Sequence, residues 1–203
     1  MGIVILCAGI KGGTGKTTTT YNLGTLLVEQ GFDVLFVDTD DQENLNNWAA
    51  MRETVIEEQK APFHKLRKPL APLNVVQKSG ENIRQWLARE SENHDVTLVD
   101  AGGYDSPEMR DGLLVADIWL IPCTVDAFTV QTFKTLDQLI RQANGFRTRP
   151  LQGLVDQAHA PASSSSRAAA RTSRRSIRPV RYTKPASSAL SLNAFTSRGV
   201  PRA

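Results

Sequence analysis

Apolar and polar positions fall in blocks along this chain, and the block lengths separate strands from helices. Ile3-Val4-Ile5-Leu6-Cys7-Ala8 is apolar throughout and too short for a helix, so it predicts a strand buried on both faces. Residues 34–37, 96–100 and 118–122 repeat that pattern, and 73–76 and 151–155 are weaker strand-like runs. Helical spacing fills the gaps. Residues 19–29 read as a helix with Gly31 as its C-cap, and 43–51 open a second with Trp48 packed inward. Residues 79–89 put Ile83, Trp86 and Leu87 on one face behind Ser79 as cap, and Ser106-Pro107 opens a short helix. Residues 130–142 carry the stripe Phe133, Leu136, Leu139 and Ile140. Residues 53–72 mix charges with three prolines and read as a surface excursion. Strands alternating with helices predict an α/β fold, a parallel sheet flanked by helices on both faces.

Composition divides the chain in two. Residues 1–150 hold 15 Lys and Arg against 20 Asp and Glu, a net of −5. Residues 151–203 hold 9 basic residues against Asp156 alone, a net of +8. The expected organisation is one domain over 1–157 and a basic Ser/Ala/Arg-rich tail over 158–203. That tail has too few apolar residues to offset its ordering entropy and is expected to be disordered. Two readings of it stand: a basic arm for DNA, or an out-of-frame ending, since Arg, Ala, Ser and Pro dominate GC-rich DNA read in the wrong frame. No apolar run approaches 18 residues, and no basic leader precedes the first strand, so neither a membrane span nor a signal peptide is expected. Cys7 and Cys123 sit in apolar runs and read as reduced core residues of a cytoplasmic protein. His64, His94 and His159 lie outside every motif and read as surface residues.

The candidate chemistry lies where the first strand meets the first helix. Lys11-Gly12-Gly13-Thr14-Gly15-Lys16-Thr17-Thr18 joins them. Glycines let a loop curl so that its N–H groups point at phosphate oxygens, and the helix N-terminus adds partial positive charge there. Lys16 can reach terminal phosphates and the Thr17 hydroxyl can hold Mg²⁺. The common G-x-x-x-x-G-K-[ST] pattern has glycine where this chain has Ile10, and the chain adds a second lysine, Lys11. Ligands of parallel sheets bind at the carboxyl ends of strands. Asp38-Thr39-Asp40-Asp41 and Asp100 end the second and third strong strands, so three segments converge on one site by topology.

With Lys11 in the loop, Asp38 and Asp40 after the second strand and Val99-Asp100-Ala101-Gly102-Gly103 after a later one, the chain resembles the ParA/MinD superfamily of P-loop ATPases. It looks closest to the small single-domain ParA-type partition ATPases, over roughly residues 1–145. The resemblance implies ATP and Mg²⁺ as cofactors, bound by Lys11 to Thr18, with Thr17, Asp38 and Asp100 at or near the metal. It implies that Asp40 positions the attacking water, and that Lys11 crosses a dimer to the partner's nucleotide. It further implies an ATP-bound homodimer, non-specific DNA binding and a DNA-bound, ParB-like protein that stimulates hydrolysis. The family usually has proline where this chain has Asp41. A MinD-like role would need a C-terminal amphipathic helix, and residues 191–203 show no such pattern. A nucleotide-binding remnant with impaired hydrolysis is the other alternative, because no family-like continuation is visible past 155.

Overall fold

The computed structural model describes residues 2–40, 42–59, 70–102, 105–123 and 130–157. The elements run β1 (Ile3–Cys7), α1 (Lys16–Glu29), β2 (Val34–Asp38), α2 (Asn44–Gln59), β3 (Asn74–Gln77), α3 (Ile83–Glu90), β4 (Val96–Asp100), α4 (Pro107–Val115), β5 (Ile118–Cys123), α5 (Val130–Gly145) and β6 (Gln152–Gln157). They build one six-stranded parallel sheet in the order β3-β2-β4-β1-β5-β6. β2 and β4 are buried at every position, because both sheet faces are covered there.

Alternation along each strand feeds two cores. Val4, Leu6, Leu35, Val37 and Val99 face α3, α4 and α5, packing on Ile83, Leu87, Met109, Leu113 and Leu136. Ile5, Val34, Phe36, Val96 and Leu98 face the other way, onto Leu27 of α1 and Leu45 of α2. α1 lies close to the sheet because position 24 has no side chain. A Cβ on Gly24 would collide with the Phe36 ring and stand 2.6 Å from Leu98 Cδ1. Gly24→Ala is expected to lower unfolding stability by about 1–3 kcal/mol through overpacking, measured as a shift of the urea midpoint at unchanged m-value.

Several boundaries differ from the pattern reading. α1 begins at Lys16 rather than 19, since the loop passes into the helix directly after Gly15, in the left-handed region at φ 85°. α2 runs to Gln59, well beyond 51, so most of the expected excursion that falls within the described residues before 60 is helix; residues 60–69 lie outside the described residues. Trp48 packs edge-on against Tyr21 between the two helices, with ring centroids 4.8 Å apart. α3 starts at Ile83, not behind Ser79. Gly80 (φ 79°) and Asn82 (φ 66°) are left-handed and delay the first turn. Ser106 does cap α4, its Oγ accepting from Met109 N–H at 3.1 Å with Pro107 at the first position. At the other end of α4, the Arg147 guanidinium donates to the carbonyls of Leu113 (2.7 Å) and Ala116 (2.5 Å). That cation satisfies carbonyls which a helix end leaves open.

Cys7 and Cys123 are buried free thiols, pushed by burial to about 12 and about 11, so neither forms a thiolate near neutral pH. His94 sits 3.0 Å from the Asp33 carboxylate, at the start of β2 and away from the strand ends that carry the candidate site. No described helix is long and apolar enough to cross a membrane. His64, His159 and the tail after 157 lie outside the described residues.

Candidate nucleotide site

The register of β2, β4 and β1, adjacent inside the sheet, brings the expected residues side by side. Cys7 of β1 pairs with Asp100 of β4, and Asp100 pairs with Asp38 of β2. The loop leaving β1 therefore lies next to both carboxylates at the carboxyl edge of the sheet. Ile10, standing where a glycine is usual, packs against the core with Leu136 and anchors the loop's first half. Gly13 (φ 70°) and Gly15 (φ 85°) take left-handed conformations, and nothing lies within 4 Å of where a Cβ on Gly12, Gly13 or Gly15 would stand. The backbone at these three glycines is thus open to its surroundings, as a phosphate cradle needs. No side chain caps α1 at Gly15, so the first N–H groups of the helix are left for an anion. Thr14 is buried and ties its hydroxyl to Lys11 O at 3.3 Å, while Lys11 itself is exposed. Lys16 and Thr17 are half-buried and Thr18 is exposed, in the first turn of α1.

Asp100 is 2% exposed. Burial pushes its carboxyl up to about 6, helped by the charges of Asp38 and Asp40 and opposed by a Thr17 hydrogen bond and by Lys16. Thr20 donates to Asp100 Oδ1 at 3.4 Å and is also 3.1 Å from Lys16 O. The Thr39 hydroxyl and N–H both donate to Asp100 O at 3.0 Å. A buried carboxylate beside a hydroxyl is the hard oxygen set that Mg²⁺ takes, and a cation would relieve the burden of burying that charge. The residues present therefore fit a nucleotide phosphate chain with its magnesium.

That burden predicts a pH dependence. Below about pH 4 the carboxyl is protonated in folded and unfolded chains alike. Between 4 and 6 the unfolded chain releases the proton first, so stability falls as pH rises through that window, by about 3 kcal/mol in total for a folded-state value of about 6. In metal-free protein Asp100→Asn is expected to raise the melting temperature at pH 7, an advantage that shrinks towards pH 4. A constant offset across that range would refute it.

Asp38, expected near the metal, stands in register beside Asp100, and both its oxygens also accept backbone N–H groups. It is fully buried, with Oδ1 accepting from Asp40 N–H and Oδ2 from Leu45 N–H, each at 3.0 Å. It holds the first turn of α2 in place and fixes the entry to Asp40. Burial still raises its pKa against those hydrogen bonds. Asp40 is half-buried beside Gly102, where a Cβ would come within 3.3 Å of Asp40 Oδ2. Asp41 and Gly103 lie outside the described residues. Sequence reasoning missed Thr20, Thr39, Asn46 and Gln77. Gln77 had one available signal, its place at the carboxyl end of a strand-like run. An open cleft of about 420 Å³ between Lys78 and α3, lined by Glu81, Asn82, Gln85, Trp86 and Arg89, contains none of the site residues.

A parallel sheet with a glycine cradle feeding a helix N-terminus, and a buried aspartate ending the neighbouring strand, defines the P-loop NTPase fold. Residues 5–183 match the family model described as the CobQ/CobB/MinD/ParA nucleotide binding domain, and the chain belongs to that family. The match extends past the boundary expected at 157. Among relatives, the chain is similar to Protein ParA of Rhizobium radiobacter, 29% identical over 119 residues that cover 59% of this chain and 47% of that one. It is also similar to the chromosome-partitioning ATPase Soj of Thermus thermophilus, 27% identical, covering 63% of this chain and 57% of that one. The chain thus spans roughly half the length of these relatives or little more. A plasmid partition protein of Borrelia burgdorferi shares the fold with a TM-score of 0.54 at 17% identity, covering 79% and 81% of the two chains. Cobyrinic acid a,c-diamide synthase of Mycobacterium smegmatis, solved with ADP and magnesium, shares it with a TM-score of 0.59 at 21% identity, covering 76% and 74%.

Proposed function

We propose that this chain is a ParA-type partition ATPase, whose ATP-bound homodimer binds DNA without sequence preference and is reset by hydrolysis. The observation that carries the reading is the convergence of the two-lysine loop with Asp40 and Asp100 at one sheet edge. The partition proteins and chromosome-partitioning ATPase among its relatives support it. In this reading the cradle Lys11 to Thr18 holds the phosphates of ATP, and Lys16 balances their charge. Thr17 and Asp100, with Asp38 beside them, would hold Mg²⁺, which would offset charge building on the terminal phosphate. Asp38 positions Asp40, and Asp40 orients the attacking water. Lys11, exposed in the single chain, reaches the nucleotide of a second subunit. Lys and Arg contacts to phosphates would carry DNA binding, with a DNA-bound ParB-like protein stimulating turnover. The reading places the protein in the cytoplasm, on the nucleoid.

The test is ATP binding and phosphate release measured together on the full chain, with and without DNA. Binding with release that DNA and a partner accelerate is the expected outcome. Binding without release would instead favour a nucleotide-binding remnant.

A further inference from the structure

We infer that Gln77 and Asn46 form a clasp that positions Asp40 from the outer edge of the sheet, an inference that rests on the water-orienting role proposed for Asp40. Gln77 ends the edge strand β3 and stands in register with Asp38. Its Nε2 donates to Asp40 O at 3.0 Å, and its Oε1 accepts from Asn46 Nδ2 at 2.8 Å. The two bonds define the amide's orientation. Turned over, it would set oxygen against the Asp40 carbonyl and nitrogen against the Asn46 amide.

The clasp completes a set of restraints on one residue. Asp38 Oδ1 accepts the Asp40 N–H at 3.0 Å. Glu43 N–H shares the Asp40 carbonyl at 3.0 Å. Asp40 Oδ1 accepts from Gln42 N–H at 3.0 Å, and Gly102, having no Cβ, leaves room for the Oδ2 side. One carboxylate oxygen is thereby spent on its own loop, and the other remains to orient a water. Asp40 is in a loop with no ladder partner of its own, so its carboxylate is only as well placed as its backbone. Gln77 and Asn46 hold that backbone through its carbonyl and join it to β3 and the first turn of α2. Both are half-buried, so the bonds are not freely exchanged for water. They are positioning residues: neither needs to touch the nucleotide.

The experiment uses the full chain and Gln77→Leu, which keeps the bulk and removes both bonds. Affinity for a fluorescent ATP analogue with Mg²⁺ is expected to stay within about threefold, while kcat falls about 10- to 100-fold, the scale of a 1 Å misplacement. Hydrogen exchange at the Asp40 and Gln42 amides should speed up in this variant while that of β4 stays unchanged. Gln77→Glu supplies the readout that a merely structural role would not move. When protonated, the introduced carboxyl can donate to Asp40 O and accept from Asn46; when ionised it cannot donate. An ordinary Glu is ionised above about pH 5, and the neighbouring Asp38 and Asp40 carboxylates favour its protonated form, so the variant's turnover relative to wild type at the same pH should rise as pH falls from about 7 to 5. Unchanged kcat in Gln77→Leu, or unchanged amide exchange around Asp40, overturns the clasp. If the wild-type chain shows no turnover, the hydrolysis reading fails on its own and amide exchange alone decides the clasp.

Discussion

Lys16→Ala is expected to weaken ATP binding by about 30- to 150-fold, the loss of a charge-assisted hydrogen bond worth about 2–3 kcal/mol. Lys16 opens α1, where uncapped N–H groups and the bare cradle already favour an anion. Those backbone groups remain in the variant, so the fold and a residual affinity should persist. Lys16 also opposes the rise in the Asp100 pKa. Its removal leaves the aspartate cluster less compensated and pushes that carboxyl higher. Titration calorimetry of MgATP into wild type and variant checks the first effect. Equal affinities would mean that the phosphates do not lie in this loop.

Lys11→Ala should behave differently. The side chain is exposed, and only the backbone carbonyl of Lys11 serves the loop, through Thr14. Nucleotide affinity of the single chain should therefore stay within about threefold, whereas turnover should fall by about 10²- to 10³-fold, the usual effect of deleting one donor to developing charge. ATP-dependent doubling of mass in light scattering should vanish with it. Unchanged turnover and mass in Lys11→Ala would remove the cross-subunit role. The contrast between two lysines five residues apart separates binding a nucleotide from using it.

The sheet was legible because its strongest strands are short and almost wholly apolar, and two of them end in aspartate. The order of apolar runs alone puts Asp38 and Asp100 at one edge, since parallel strands bring their carboxyl ends together. The phosphate loop was legible because it is local: glycines, lysines and hydroxyls within eight residues. Helix limits were harder. The first turn of α1 is a threonine run, whose β-branched residues hide a helix start. The second half of α2 carries Glu53, Glu57 and Glu58 among its apolar positions and reads as surface. Asn82 in a left-handed turn hid the start of α3.

The supporting residues were hidden for a different reason. Gln77 is 37 positions from Asp40, and Thr20 is 80 from Asp100. No spacing rule links such pairs; only the sheet order does. The same holds for Asp38: the family resemblance implies a place near the metal, and the fold adds a bond that no spacing shows, its Oδ2 accepting the Leu45 N–H of α2. Its two oxygens explain how an acidic cluster survives at one edge: backbone N–H groups share the charge. The two readings of the basic tail predict different coding DNA. Translating the other frames of its coding DNA separates them, because a family-like continuation in another frame would identify an out-of-frame ending.

The most direct test of the account is nucleotide-dependent DNA binding by the full chain, followed by anisotropy of a labelled random-sequence duplex. With MgATP the protein should bind, and log affinity should fall linearly with log salt concentration. Binding should be lost with MgADP and in Lys11→Ala. DNA binding of equal strength with ATP, with ADP and without nucleotide would contradict an ATP-driven switch.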